Sequence, residues 1–323
     1  MGNKVIITDH CFPSIDIQEK VIKDAGFELE SIQPICKTED DIINTCKDAD
    51  VLLVQWAPVT RRVLEALPNV KCIVRYGVGV NNFDLEAAKD LGVMACNVPD
   101  FCLDEVSDHA VTLAMALVRR VIHNHNQIMK GGWDISDFRP MPAPCQMKVG
   151  LVSFGNIAQK AAKKFQAFGF EVMAYDPFLP QELFDKYNVK NVDFDTLCAE
   201  SDVISLHCPL VPATTGIINK DSIAKMKDRV VIVNTSRGPV VKEADLIEAL
   251  QSGKVVGAGL DVFEVEPLPA DSPLLKMDNV ILTGHAASVS ENAVYLLQRN
   301  AAMAAVEFLQ GKVPSAALPA FRK

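Results

Sequence analysis

Short, nearly continuous apolar runs alternate along the chain with segments whose apolar positions recur every three to four residues. The runs lie at 4–9, 51–55, 71–75 and 93–97, and the helical patterns between them near 15–25, 38–47, 60–67 and 84–90. Strands buried on both faces read as unbroken apolar stretches, so this rhythm predicts a parallel sheet covered by helices on both sides. After residue 100 the rhythm stops. Residues 104–130 form one long helical stretch, with Asp104 as its N-cap and Gly131 and Gly132 as its stop. It is too long for a crossover and reads as a connector between domains.

A second series follows a proline-rich segment, with apolar runs at 148–153, 171–175, 202–207, 230–234, 255–261 and 279–283. A final helical run over 289–310 has no strand after it and is expected to pack back on the first series. The predicted fold is α/β, with two doubly wound parallel-sheet domains. One comprises 1–101 and 291–323, the other 102–290.

Composition narrows the function classes. The 323 residues exceed a typical domain of about 150 twofold, which agrees with two domains. With 32 Lys and Arg against 41 Asp and Glu, the net charge of −9 opposes binding to a nucleic-acid backbone or an anionic membrane. Nine cysteines without a C-x-x-C pair suggest neither a disulfide framework nor a metal site. Reduced thiols, no signal core and no long apolar span place the chain in the cytoplasm.

The chemistry concentrates in the second series. The turn after its first strand reads Ser153-Phe154-Gly155-Asn156-Ile157-Ala158 and opens a helix, the position of a dinucleotide-binding G-x-G-x-x-G. Gly155 is the glycine that lets a pyrophosphate reach the amides of a helix N-terminus. Asp176 closes the next strand, where a ribose needs an acceptor carboxylate, and no Lys or Arg follows it to receive a 2′-phosphate. NAD is therefore expected over NADP. Ser153 replaces the first glycine. Either its backbone keeps a strained positive φ, or it relaxes to negative φ with the hydroxyl capping the helix or facing the pyrophosphate, and the relaxed form is the one expected.

Three clusters end later strands: Asn234 to Gly238, Asp261 to Pro267 and Thr283 to Ala287. Arg237 offers a rigid fork of donors to a carboxylate and a carbonyl oxygen. His285 can exchange a proton near neutral pH, with Glu266 on its other ring nitrogen. An arginine anchor, a histidine acid/base and a carboxylate orienter suit oxidation of a 2-hydroxy acid.

In order, VSFGNIA, AYDP, HCPLVPATTGIIN, VNTSRGPVV, AGLDVFEVEPLP and TGHAA resemble the D-isomer-specific 2-hydroxyacid dehydrogenases over nearly the whole chain. RYGVGV and GGWD are similar to the branch of the C-terminal-binding proteins and related bacterial dehydrogenases. The resemblance implies a flavodoxin-like substrate domain and a Rossmann NAD-binding domain. It implies Arg237, Glu266 and His285 as catalytic residues. It places Gly155, Asn156, Ile157, Asp176, Cys208, Pro209, Thr214, Thr235, Ser236 and Asp261 along the cofactor, Asp261 at the nicotinamide carboxamide. It places Arg75 and the amides of Val78 and Gly79 at the substrate carboxylate. Three positions depart from the pattern: Asn81, Ser153 and Ser288. In phosphoglycerate dehydrogenases the loop after the strand that corresponds to the run at 51–55 carries an Arg, whereas this chain has Gln55-Trp56-Ala57-Pro58, so a phosphorylated substrate is not expected.

The expected activity is NAD-dependent interconversion of a D-2-hydroxy acid and its 2-oxo acid by hydride transfer, in a homodimer formed through 104–130. The alternative is a NAD(H)-responsive protein-binding module. Formate oxidation is disfavoured, because that relative has Gln where Glu266 stands. His207 is read as shaping the cofactor rim, and His109, His123 and His125 as surface or interface residues.

Overall fold

The computed structural model describes residues 3–136 and 139–322. They divide into two compact units, one built from residues up to Cys102 together with those from Val289 onward, the other running from Leu103 to Ser288.

In the first unit, β1 (Lys4–Ile7), α1 (Asp16–Asp24), β2 (Glu28–Ser31), α2 (Glu39–Thr45), β3 (Val51–Val54), α3 (Arg61–Ala66), β4 (Cys72–Arg75), α4 (Leu85–Asp90) and β5 (Met94–Cys96) follow in order. All five strands are parallel, arranged β2-β1-β3-β4-β5. The central strand β3 is VLLV, every residue buried, as a strand covered on both faces requires. β2 was not anticipated. Its sequence Glu-Leu-Glu-Ser alternates exposed and half-buried positions because it is an edge strand, and its charges hide the apolar run that marks the others.

The second unit begins with α5 (Leu103–Val118) and α6 (Val121–Met129), then β6 (Lys148–Val152), α7 (Asn156–Ala167), β7 (Glu171–Tyr175), α8 (Gln181–Lys186), β8 (Lys190–Asn191), α9 (Phe194–Glu200) and β9 (Val203–Leu206). It continues with α10 (Lys220–Lys225), β10 (Val230–Asn234), α11 (Glu243–Ser252), β11 (Val255–Leu260) and β12 (Val280–Leu282). Its seven parallel strands run β12-β11-β10-β9-β6-β7-β8. The strand order reverses between β9 and β6, and open sheets of this kind place ligands outside the carboxyl ends of such strands.

The single connector helix over 104–130 is corrected. Arg120 takes left-handed backbone, φ 49°, and splits the stretch into α5 and α6. Helix α5 begins at Leu103, so Asp104 lies in its first turn instead of capping it, and its carboxylate pairs with Lys160 of α7. Nor is α5 a free-standing link. It packs on α7, β10 and β11, and buries Val111, Leu113 and Val118, each contributing roughly 1.5–3 kcal/mol. α6 buries none of its residues. The last helix, α12 (Glu291–Leu309), packs against α1, β3 and β4, and Leu318 N–H donates to Ala95 O at 2.9 Å beside β5. Among the described residues no helix is long and apolar enough to cross a membrane.

Candidate active site

The carboxyl end of β10 is shaped by Asn234, whose side chain is buried. Its Oδ1 accepts from Ser236 N at 3.0 Å and Ser236 Oγ at 2.9 Å, and its Nδ2 donates to Arg237 O at 2.9 Å. This turn leaves Arg237 half-buried on extended backbone, with one guanidinium nitrogen anchored to Ser236 O at 2.6 Å. Gly238 follows of necessity: a Cβ there would lie 1.8 Å from Phe263 O. The arginine turn is thus pressed against the loop that carries Glu266.

Glu266 uses both carboxylate oxygens. Oε1 accepts from Phe263 N at 3.1 Å, and Oε2 meets His285 Nδ1 at 2.8 Å. A carboxylate only accepts, so the proton sits on Nδ1 and Nε2 is left to exchange one with a substrate oxygen.

His285 itself stands at φ 54°, left-handed backbone that costs a non-glycine residue about 1–3 kcal/mol unless its surroundings enforce it. Asp261 enforces it. At the end of β11 its side chain is buried, Oδ1 accepts from Thr283 Oγ1 at 2.5 Å and Ala286 N at 2.9 Å, and Oδ2 accepts from Ala287 N at 3.0 Å. The Asp261 carbonyl takes His285 N at 2.7 Å. A residue implied to meet the nicotinamide carboxamide therefore also fastens the loop that carries His285.

His109 completes the arrangement, which corrects its reading as a surface or interface residue. Its Nε2 lies 2.9 Å from Thr283 Oγ1, and the single proton of that hydroxyl is given to Asp261, so Nε2 of His109 is the donor. Nothing local announces this: His109 and Thr283 are 174 positions apart.

At the switch point, Ser153 follows β6 with φ 73°. The expected relaxed turn is overturned. Ser153 N donates to Tyr175 O at 2.8 Å, continuing the β6–β7 ladder one residue past the strand, and the chain then turns into α7 through left-handed backbone. The hydroxyl does not cap the helix; it donates to Asp176 Oδ2 at 3.0 Å. Gly155 is the N-cap of α7, and an added Cβ would meet nothing within 4 Å, so the approach to the helix N-terminus is open. Asn156 and Ile157 form its first turn.

Cys208 is buried in the core behind β9, and burial pushes its thiol up to about 11; only its backbone is available to a cofactor. Thr214 shapes the same loop, donating to Pro209 O at 2.5 Å and accepting from Val211 N at 3.0 Å. Thr235 carries a buried hydroxyl oxygen without a hydrogen-bond partner, at the carboxyl end of β10. An orphaned polar atom there, an open helix N-terminus and a carboxylate ending β7 fit a dinucleotide.

In the first unit Arg75 ends β4, and its guanidinium folds over Gly77, where a Cβ would lie 1.6 Å from Nη1. The following loop is pinned through Val78 O, which accepts from Asn97 Nδ2 at 2.6 Å; Val78 is exposed and Gly79 half-buried. Asp9, not singled out from the sequence, plays the part that Asp261 plays in the other unit. Buried at the end of β1, it accepts from Gln55 N at 3.0 Å, Trp56 N at 2.6 Å and Ala57 N at 3.2 Å, fixing the loop after β3.

Residues 111–287, more than half of the chain, match the family described as D-isomer specific 2-hydroxyacid dehydrogenase, NAD binding domain. The chain is 34% identical over 315 residues to a hydroxypyruvate reductase of Blautia hydrogenotrophica, covering 95% of this chain and 97% of that one. It is 38% identical over 292 residues to a D-3-phosphoglycerate dehydrogenase of Methanocaldococcus jannaschii, covering 90% of this chain and 54% of that protein. Among solved structures, D-lactate dehydrogenase from Aquifex aeolicus, complexed with NAD and lactic acid, superposes with a TM-score of 0.83 at 27% identity, over 96% of each chain.

Proposed function

This chain belongs to the D-isomer-specific 2-hydroxyacid dehydrogenases, NAD-dependent oxidoreductases, and from that premise we propose that it interconverts a small, unphosphorylated 2-oxo acid of the glyoxylate or hydroxypyruvate kind and its D-2-hydroxy acid. The assembled pair of His285 and Glu266 beside the Arg237 turn carries the reading. When bound, the nicotinamide supplies or accepts the hydride at the substrate's second carbon. His285 Nε2 gives a proton to the carbonyl oxygen during reduction and takes it back during oxidation. Glu266 fixes the ring and balances its charge. Arg237 holds the substrate carboxylate and polarises the carbonyl.

Gln55-Trp56-Ala57-Pro58 offers no cation to a phosphate, which favours the unphosphorylated substrate although phosphoglycerate dehydrogenases are among the relatives. Asp176, with no basic residue after it, favours NADH over NADPH. The exposed apolar side chains of α6, Val121, Ile122, Ile128 and Met129, support a homodimer through this region. Nine free cysteines suit a reducing compartment, and the cytoplasm is the proposed location.

Loss of NADH absorbance with glyoxylate, hydroxypyruvate, pyruvate and 3-phosphohydroxypyruvate tests the substrate reading. Turnover is expected on the unphosphorylated acids. A preference for the phosphorylated one overturns it.

A further inference from the structure

The bond between Ser153 and Asp176 has a consequence for how the cofactor is read. An ionised carboxylate offers about four acceptor positions. Asp176 has three of them filled by its own chain: Oδ2 takes Ser153 Oγ at 3.0 Å and Phe154 N at 3.0 Å, and Oδ1 takes Phe178 N at 3.1 Å. One position remains, on Oδ1. The adenosine ribose of a dinucleotide presents two hydroxyls, and the carboxylate at this point in the fold has one position left to offer them.

The second acceptor is beside it. Ser153 has given its only proton to Asp176, so both lone pairs of Oγ are open to an incoming hydroxyl. The serine reaches the carboxylate from left-handed backbone, φ 73°, a conformation a glycine would occupy without cost. Strain retained at a ligand-facing turn is the pattern of a residue kept for what its side chain does.

We propose that Ser153 and Asp176 act as one recognition unit for the adenosine ribose diol of NAD(H), Ser153 holding the carboxylate in place and itself accepting from the second hydroxyl. The proposal rests on the NAD-binding reading above and adds to it a residue that decides affinity. A 2′-phosphate removes one of the two donors, so the unit favours NADH through a lost hydrogen bond as well as through repulsion.

Fluorescence titrations of the full chain with NADH and NADPH test it, using wild type, Ser153→Gly, Ser153→Ala, Asp176→Ala and the Ser153→Gly/Asp176→Ala double variant. Each Ser153 variant is expected to bind NADH about three- to tenfold more weakly, the loss typical of one hydrogen bond between neutral groups, with NADPH changed less than twofold. The melting temperature of Ser153→Gly is expected to be unchanged or higher, which separates lost binding from lost folding. The double variant is expected to lose less than the product of the two single losses, because Ser153 acts in part by holding the carboxylate that Asp176→Ala removes. Wild-type affinity in both Ser153 variants, or losses that multiply in the double variant, would overturn the proposal. Failure of the wild type to bind NADH would instead overturn the cofactor reading, before any variant is compared.

Discussion

His285 Nδ1 and Glu266 Oε2 stand 2.8 Å apart, and the second oxygen of the same carboxylate is tied to Phe263 N at 3.1 Å. The imidazole is therefore oriented by a group that is itself fixed to the backbone. His285→Ala is expected to lower kcat on 2-oxo acids by about 10²- to 10⁴-fold through lost acid catalysis. Glu266→Gln, which can present either an amide N–H or an oxygen to the ring and so no longer sets its tautomer, is expected to lose on the order of 10²-fold. NADH affinity should be preserved in both, and steady-state rates beside NADH titrations separate the two effects. Near wild-type turnover in either variant removes that residue from the chemistry.

Gly238 fixes the distance between the arginine turn and the glutamate loop. In Gly238→Ala the new methyl carbon would sit 1.8 Å from Phe263 O and 1.9 Å from its carbonyl carbon, so one of the two loops must move. Overpacking of this kind costs about 1–3 kcal/mol. A lower urea midpoint together with a fall in kcat/KM of at least tenfold is the expected pair of results. Unchanged kcat/KM would show that Arg237 and Glu266 do not depend on this contact.

Thr283 joins His109 to Asp261 beside the loop that carries His285. Thr283→Val keeps the shape and removes both bonds, leaving a buried carboxylate short of one donor at a cost of about 1–3 kcal/mol. Because His285 is held by the same carboxylate's loop, kcat should fall more than NADH affinity. Chemical denaturation and single-turnover rates with Thr283→Val against Thr283→Ser, which restores the hydroxyl, check this; the serine variant should recover most of both losses.

His207 gives a pH dependence of a different kind. Burial lowers its pKa to about 4, and its ring accepts or donates within 3.0 Å of Ser205 Oγ. The unfolded ring takes a proton near ~6.5, so between that value and about 4 the unfolded chain binds more protons than the folded one. The stabilisation is complete above ~6.5 and is lost as the pH falls toward 4. The melting temperature should therefore drop from pH 7 to pH 5, and His207→Gln should flatten part of that drop. Equal drops in both proteins would assign the effect to other groups.

What the sequence made legible was whatever repeats locally. Strand β10 is Val-Val-Ile-Val-Asn, and its apolar run could be nothing else in a series of this spacing. Two of the four edge strands escaped: β2 carries two glutamates, and β8 is two exposed residues, Lys190 and Asn191. The break at Arg120 escaped because no glycine or proline marks it. Arg237, Glu266, His285 and Asp261 could be singled out from motif order, but not every group that bonds to the loops around them. Asp9 and His109 act through bonds to loops that meet them only in the folded chain. Ser153 shows the limit most clearly, since a substitution at a glycine position suggested relaxation, whereas the partner that keeps the backbone left-handed, Asp176, lies 23 positions away.

The discontinuity of the first unit has a bearing on how the protein is made. Helix α12 covers α1 and contacts β3 and β4, yet the whole segment Leu103–Ser288 must leave the ribosome before α12 exists. At synthesis rates of ~5–20 residues per second that delay is roughly 10–40 s. For that interval the nascent first unit lacks the helix against which α1 packs, while the second unit already has every strand it needs in a contiguous stretch. The order of maturation is thus set by translation: the later-encoded unit can close first, and the unit encoded first waits for α12.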